Sequence, residues 1–312
     1  MLFFPYRVDI DLKRLPFVTI IICVLCIYIY YQQSVSEIAI NKSAAEFCQK
    51  DQPRIFLLVV KKLTKSDNIS ACVVILRSLH TNSNPQNIIN KLVDHADAFD
   101  SMSIIRSREI MVNTLEKSYD DFKKHAPHSL SAKLMYEPST LAVPKMISSV
   151  FAHGGWQHLI GNLFFFFAFA ASVEIILGSI IYSVVVLALA IGTNLAYAAV
   201  TIADPYVLPT LGLSGVVMGM IGLFTFLIPT ARIRCFFWFI IIFKIFSMPA
   251  WILALWYIGW DVYHLYADGS NSTNVNLVAH VSGAAIGVML GLLFFRNSRP
   301  TITISKRLRG SS

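Results

Sequence analysis

A series of apolar stretches most strongly constrains what this chain can fold into. Each is close to the ~20 residues that a helix needs to cross a hydrocarbon core roughly 30 Å thick. The sequence predicts six such spans: 16–35, 146–173, 178–200, 212–229, 235–258 and 276–295. Charged residues make up 14% of the 312 residues, against about 25% in a typical soluble domain. We therefore expect an all-α polytopic membrane protein.

These spans divide the chain. Residues 1–15 precede the first span (16–35), which no small-residue cleavage site follows, so we expect it to be retained rather than removed as a signal peptide. Residues 36–140 mix charges of both signs, and their apolar runs are too short to cross a bilayer. We expect them to form a soluble insert of about 100 residues, helical or α/β. A core (141–295) and a basic tail (296–312) follow.

The basic residues predict the orientation of the chain in the membrane. They cluster before the first span, between the fourth and fifth, and after the sixth: Arg7, Lys13, Arg14, Arg232, Arg234, Arg296, Arg299, Lys306, Arg307 and Arg309. An even number of spans puts the three clusters on one side, and positive residues favour the cytoplasm. Both termini are therefore expected inside and the insert outside. With no transit peptide visible, the bacterial inner (plasma) membrane is the expected location.

The net charge of +8 resides mainly in those clusters. No stretch interleaves aromatic residues with a basic groove, so nucleic acid is not an expected partner. The cysteines are equally unspecific. Cys23 and Cys26 form a C-x-x-C inside an apolar helix, where packing is the simplest role, while Cys48 and Cys72 share the insert. The spacing leaves open whether the latter two form a disulfide in an oxidising compartment.

Four polar side chains interrupt the apolar spans at one depth. His158 and Asn162 lie near the start of the second span, Ser214 near the start of the fourth, and His280 near the start of the sixth. All three spans start at the outer face if the orientation is right, so the four groups share the outer third of the bilayer. Ionisable residues inside spans are rare and are functional candidates by default.

This set of side chains fits nucleophilic catalysis. A serine hydroxyl is a weak nucleophile until a base takes its proton, and histidine is the usual base. His158 and Asn162 share a helical face, and with the Ser214 backbone N–H they can donate hydrogen bonds to an oxyanion. The sequence shows no carboxylate at this depth, which predicts a Ser214–His280 dyad rather than a triad. No cofactor or metal is implied.

Small residues lie beside both members of this pair. They form one stripe on the fourth span and another on the sixth: Gly215, Gly219 and Gly222; Gly283, Gly287 and Gly291. Such faces let helices approach closely, which a serine–histidine hydrogen bond requires.

Three segments carry a family resemblance. They read Gly212-Leu-Ser214-Gly, His153-Gly-Gly-Trp-Gln-His158-Leu-Ile-Gly-Asn162 and Ala279-His280-Val-Ser-Gly283-Ala-Ala-Ile-Gly287. Together they resemble the rhomboid intramembrane serine proteases, over about residues 138–295. The resemblance implies a six-helix rhomboid-like bundle, with Ser214 as nucleophile, His280 as base, and His158 and Asn162 in the oxyanion hole.

The resemblance also implies supporting roles. His153 would organise the neighbouring outer loop, Glu174 would be the carboxylate at the inner end of the second span, and the aromatic fifth helix would be a lateral substrate gate. An interfacial carboxylate is the simpler interpretation of Glu174. Met218 departs from the family, because many bacterial members have a tyrosine there that stacks on the catalytic imidazole, although a methionine sulfur also contacts rings. The insert is longer than in compact bacterial members.

The expected function is hydrolysis of peptide bonds in or beside the transmembrane segments of membrane-protein substrates. The main alternative is a catalytically silent rhomboid-like protein that binds or chaperones membrane clients. A transporter would favour an internal repeat and a site-2-type metalloprotease would need H-E-x-x-H, neither of which the sequence shows. Lys244 raises a Ser–Lys alternative, but it is expected in the cytoplasmic half of the fifth span. The sequence leaves the oligomeric state open.

Overall fold

Helices dominate the computed structural model, which describes residues 2–8, 15–66, 69–100, 102–201, 207–239, 242–268 and 275–298. The elements in chain order are β1 (Leu2–Val8), α1 (Phe17–Gln49), α2 (Arg54–Thr64), α3 (Ile69–His80), α4 (Pro85–Asp94), α5 (Ile104–Lys123), α6 (Leu130–Leu134), α7 (Val143–Ser149), α8 (Trp156–Leu177), α9 (Ser179–Thr201), α10 (Ser214–Leu227), β2 (Arg232–Phe239), β3 (Ile242–Pro249), α11 (Ala250–Asp268) and α12 (Leu277–Phe294). Short 3-10 turns cover Pro138–Thr140 and Arg296–Ser298.

These elements form two compact units. Unit 1 contains the described residues of Met1–Ile21, Leu163–Thr193 and Ser214–Ser312. Unit 2 contains those of Ile22–Asn162 and Asn194–Leu213.

Four of the described helices are long and apolar enough to cross a membrane: α1, α8, α9 and α12. The last two agree with the predicted spans 178–200 and 276–295. The other two differ at one end. The helix predicted from residue 146 is divided, because α7 ends at Ser149 and α8 begins at Trp156. The first helix continues to Gln49 rather than ending at 35, because its polar second half has a protein core to pack against.

That core belongs to the segment predicted as an insert. Ile40, Ala44 and Cys48 recur every four residues, so they share one face of α1, and each is buried. Helices α2 to α5 pack around this face. Their buried apolar side chains are Phe56, Val59, Val60, Ala71, Cys72, Ile75, Leu76, Leu79, Ile89, Val93, Met111, Leu115, Tyr119 and Phe122. The described part of the segment is therefore helical, with a core of its own.

A disulfide joins two helices of this core. Cys48, near the end of α1, is bonded to Cys72 in α3, 24 positions further along the chain. The bond answers the question that the spacing left open. Cys23 and Cys26 are both free thiols, and Cys26 is buried, which agrees with a packing role.

Helix α10 is the centre of unit 1. Nearly all of its 14 residues are buried. Phe224 packs edge-on against Phe169 of α8, with 5.3 Å between ring centroids, and Gly219 faces Leu189 of α9. The length of α10 is less than the thickness of a bilayer. Because other helices surround it, it needs little contact with lipid.

Glycines bring α10 into backbone contact with α12. A Cβ atom added at Gly283 would overlap the carbonyl oxygen of Gly215, and one added at Gly287 would overlap that of Gly219. A Cβ at Gly222 would meet the backbone of Ala284. The two glycine stripes predicted from the sequence therefore face each other. Only residues without side chains permit this approach.

The predicted fifth span is wrong over most of its length. Residues 232–239 and 242–249 form the antiparallel strands β2 and β3, and β1 completes a three-stranded sheet with β2 at its centre. The helix begins only at Ala250, so Pro249 ends a strand instead of kinking a span. β-branched and aromatic residues fill these strands, and such residues favour a strand as readily as an apolar helix. A six-helix bundle is thus not what the described residues show.

The sheet pairs two segments that each carry basic residues. Arg7 in β1 is opposite Arg234 in β2. Two arginines from distant basic segments, Arg7 and Arg234, therefore belong to one sheet. The side of the membrane on which this sheet lies stays a prediction.

Glu174, near the end of α8, is buried. Its carboxylate accepts hydrogen bonds of 2.8–3.0 Å from the backbone N–H groups of Val18 and Thr19 and from the Thr19 hydroxyl, and one of 2.7 Å from the Ser179 hydroxyl. The first N–H groups of a helix have no partner within the helix, and they carry a partial positive charge. Glu174 satisfies two of them at the start of α1, a pairing that the sequence did not predict.

The disulfide should stabilise the insert. Replacing Cys48 and Cys72 together by Ala is expected to lower the free energy of unfolding by about 3 kcal/mol, because the unfolded chain regains the freedom of the closed loop. Thermal unfolding with and without reductant measures this effect. Reductant should lower the Tm of the wild type and of a Cys235→Ala control, but not that of the double variant. Equal sensitivity in all three proteins would contradict the prediction.

The glycine contact gives a second prediction. Gly287→Ala should lower the free energy of unfolding by about 1–3 kcal/mol, because the new methyl group meets the backbone of α10. Gly259→Ala is the matched control, since no atom lies within 4 Å of its added Cβ in α11. There the change should be neutral or stabilise by about 0.5–1 kcal/mol through helix propensity. Unfolding titrations in micelles compare the two, and equal effects would refute the packing argument.

Candidate active site

Ser214 and His280 occupy corresponding ends of two packed helices. Ser214 is the first residue of α10. His280 lies in the first turn of α12, whose start is fixed by Asn276, because the Asn276 side chain accepts a hydrogen bond of 2.9 Å from the Ala279 N–H. A Cβ added at Gly215 would lie 3.3 Å from the carbonyl oxygen of Ala279. Gly215, which follows Ser214, therefore lies close to Ala279, which precedes His280.

The two ring nitrogens of His280 have different environments. Nδ1 lies 2.8 Å from Oδ2 of Asp261 in α11. Nε2 is buried and has no hydrogen-bond partner among the described residues. Ser214 and His280 are thus brought to one end of unit 1 without a hydrogen bond between the serine hydroxyl and Nε2.

Asp261 was missed by sequence reasoning. The expectation that no carboxylate reaches this depth is wrong, because α11 extends to Asp268 instead of ending near 258. The predicted fifth span ended at residue 258, which left Asp261 outside it. The sequence did contain a helical signal, because Asp261 follows Tyr257 by four residues and the two would share one helical face. In the structure the Tyr257 ring lies 5.1 Å from the Phe165 ring.

The predicted oxyanion side chains lie in unit 2, close to the glycine that precedes the serine. Gly212 has a φ of +124°, and a Cβ added there would lie 2.8 Å from His158 Cε1 and 3.9 Å from Asn162 Nδ2. Its N–H donates a hydrogen bond of 2.9 Å to Ser149 O. Glycine is required here both by the backbone angle and by the contact with the imidazole.

Asn162 and His158 differ in exposure. Asn162 is buried, and its Nδ2 donor has no hydrogen-bond partner among the residues that the structure describes. A buried amide without a partner is unfavourable unless something else accepts its hydrogen bond. His158 is exposed at the start of α8.

His153 is held in the short segment between α7 and α8. Its Nδ1 lies 3.3 Å from Phe151 O, and its ring is 5.3 Å from the His158 ring. Gln33 of α1 fixes the backbone from the other side: its Oε1 accepts a hydrogen bond of 3.0 Å from the His153 N–H, and its Nε2 donates one of 3.4 Å to the carbonyl. Gln33 is fully buried, and no sequence motif singled it out.

The environment of His153 keeps its imidazole neutral. Burial and, to a smaller extent, the nearby His158 lower its pKa from 6.5 to about 4, against the opposing effect of the hydrogen bond to the Phe151 carbonyl. A charged imidazole would lose hydration that the protein does not replace. His153 is therefore a neutral imidazole in the loop before α8.

The remaining candidates are more peripheral. Met218 is buried one turn into α10. Lys244 lies in β3 and is exposed, so its predicted place within a span is wrong. Several aromatic side chains of α11 are exposed, Trp251, Trp256 and Trp260 among them. Within the described ranges, no three His, Cys, Asp or Glu side chains come together as a metal-binding group.

Comparison with known proteins defines the class. A family model described as Rhomboid domain matches residues 141–297, half of the chain. The protein belongs to the rhomboid family, an intramembrane protease family, and it is an integral membrane protein. Neither the curated proteins nor the solved structures compared with it include a match.

The neutral state of His153 predicts a dependence of stability on pH. As pH falls below 6.5 toward 4, the unfolded chain gains a proton at this histidine that the folded chain does not. Stability present above pH 6.5 is therefore lost on acidification, by on the order of 3 kcal/mol. Unfolding of the wild type and His153→Asn at pH 7.5 and 4.5 measures it. The variant should lose less stability than the wild type; equal losses would contradict a neutral His153.

Proposed function

We propose that this protein is a serine endopeptidase that cleaves peptide bonds in or next to the transmembrane segments of other membrane proteins. The observation that supports the proposal is the close approach of Gly215 in α10 to the Ala279 carbonyl in α12, because these residues are the sequence neighbours of Ser214 and His280. Family membership supports the same chemistry.

The proposed reaction begins at Ser214. His280 takes the hydroxyl proton on Nε2 while the serine oxygen attacks the substrate carbonyl carbon. The oxyanion is stabilised by hydrogen bonds from His158, Asn162 and the Ser214 backbone N–H. The tetrahedral intermediate collapses to an acyl-enzyme as His280 protonates the leaving amine. A water molecule, deprotonated by His280, then attacks the ester and releases the second fragment.

The donor properties of Asn162 support its part in this scheme. Its buried Nδ2 has no partner among the described residues, so an oxyanion would satisfy a donor that otherwise remains unpaired. A hydrogen-bond donor that is already fixed in place contributes most to the stabilisation of a charged intermediate, because it needs no reorganisation during the reaction.

The proposal includes a substrate class and a membrane location. A helix shields its carbonyl groups through internal hydrogen bonds. Preferred substrates should therefore contain Gly, Ala or Ser near their outer membrane boundary, where the helix unwinds most easily. We place the protein in a bacterial inner membrane with both termini in the cytoplasm, as the basic residues favour. The disulfide supports this topology, because such bonds persist in oxidising compartments.

The test is cleavage of a single-span substrate in proteoliposomes. Ser214→Ala and His280→Ala should each abolish cleavage, and Asn162→Ala should reduce kcat by about 100-fold or more. Ser183→Ala is a matched control, because this half-buried hydroxyl donates a hydrogen bond of 2.8 Å within its own helix, to Ser179 O. His125→Ala, at an exposed position of the insert, is the control for histidine. Both controls should keep wild-type activity.

Two other outcomes would reject the assignment. Equal cleavage by the wild type and Ser214→Ala would show that another group performs the reaction. No cleavage by any variant, together with no fluorophosphonate labelling at Ser214, would favour the catalytically silent alternative, a rhomboid-like protein that binds membrane clients.

A further inference from the structure

The contact between Asp261 and His280 has no part in a two-residue serine–histidine mechanism. Their atoms lie 2.8 Å apart, and the two side chains are only 17% and 14% exposed. An exposed ion pair contributes little, but a carboxylate with so little access to water needs a partner to offset the cost of its burial. His280 Nδ1 is that partner.

We propose that Asp261 is a positioning residue for His280. Its carboxylate accepts the Nδ1–H hydrogen bond, which fixes the tautomer and the orientation of the ring, so that the Nε2 lone pair is available to the serine. This inference rests on the proposed function, in which His280 is the base that activates Ser214.

The hydrogen-bonding capacity of each group determines the tautomer. An ionised carboxylate only accepts hydrogen bonds, and a neutral imidazole carries one N–H. With Asp261 next to Nδ1, the proton therefore resides on Nδ1. Nε2 becomes the acceptor, and it is the nitrogen that the structure leaves buried without a partner among the described residues.

The same contact acts during the reaction. When the Ser214 proton moves to Nε2, His280 becomes a cation, and the Asp261 carboxylate stabilises it without taking the proton. The proton then passes from Nε2 to the leaving amine, and the ring returns to its Nδ1–H form. Asp261 stays ionised throughout, as the third group of a serine–histidine–carboxylate arrangement does.

The fold of α11 places Asp261 on the inner side of the helix. Tyr257, one turn earlier, packs against Phe165 of α8. The side chains of Trp256, Trp260 and Tyr263 are more than half exposed on other faces. The α11 face that carries Tyr257 and Asp261 therefore points into unit 1.

Cleavage kinetics test the effect of the carboxylate on the base. In proteoliposomes, Asp261→Ala should lower kcat at least ~100-fold. KM should stay within about threefold, since Asp261 acts through His280 and not on the substrate. Asp261→Glu keeps the acceptor on a longer side chain and should recover at least ~10-fold over Asp261→Ala. Tyr266→Phe, at a fully exposed site on the same helix, should match the wild type. Should Asp261→Ala not fold, Asp261→Asn replaces it, with kcat at least ~10-fold lower.

Either of two kinetic results would overturn the inference. One is an alanine variant with kcat within threefold of the wild type. The other is a loss that resides in KM, because a contact that merely holds α11 against α12 would disturb substrate binding instead of the chemical step.

A spectroscopic measurement does not depend on activity. In full-length protein with ¹⁵N-labelled histidine, the His280 signals are assigned by their loss in His280→Gln. The wild type should show the Nδ1–H tautomer, and Asp261→Ala should show the Nε2–H tautomer that prevails in free histidine. An unchanged tautomer would overturn the inference. If no protein cleaves the substrate, the proposed function fails, while the tautomers still decide whether Asp261 sets the state of His280.

Discussion

The backbone contact between α10 and α12 is the constraint on which the candidate site depends. Lipid gives apolar helices little reason to associate, because hydrocarbon solvates a leucine as well as another leucine does. The association must come from close packing, and here Gly283 and Gly287 remove every side-chain atom from the contact. The same approach brings Gly215 close to Ala279. The packing that holds the helices together therefore also determines the positions of the neighbouring residues Ser214 and His280. The contact that stabilises this pair of helices is thus the one on which the candidate site depends.

Sequence reasoning succeeded where the signal was local. The glycine stripes, the apolar runs of α9 and α12, and the three motifs all follow from residue type and spacing. It failed where the tertiary environment decides. Residues 232–239 are apolar enough to begin a span, yet they pair with β1, a partner more than 200 residues away in sequence. Asp261 seemed to end a helix because it is charged, but a partner on the next helix allows it to remain inside one.

The contacts of His153 illustrate the same limit. Its motif was recognisable, but its partner was not, since a glutamine in an apolar helix has no distinctive pattern. Gln33 offers one acceptor and one donor to the backbone of a single residue, as a neighbouring β-strand would. A loop without secondary structure of its own is thereby fixed at its central residue. Nothing in the spacing of the sequence announces such a pairing.

One face of α1 carries both Gln33 and the residues that α1 contributes to the core of the insert. Gln33, Glu37, Ile40, Ala44 and Cys48 follow one another at helical spacing; Glu37 accepts a hydrogen bond from Ser131, and the last three lie in the core of the insert. Inserting one residue between Gln33 and Ile40 would turn the following residues by about 100°. The Gln33 hydrogen bonds to His153 and the packing of Ile40 in the core could then not both form. In evolutionary terms, α1 should accept many substitutions on its exposed face while tolerating almost no change in length over this stretch.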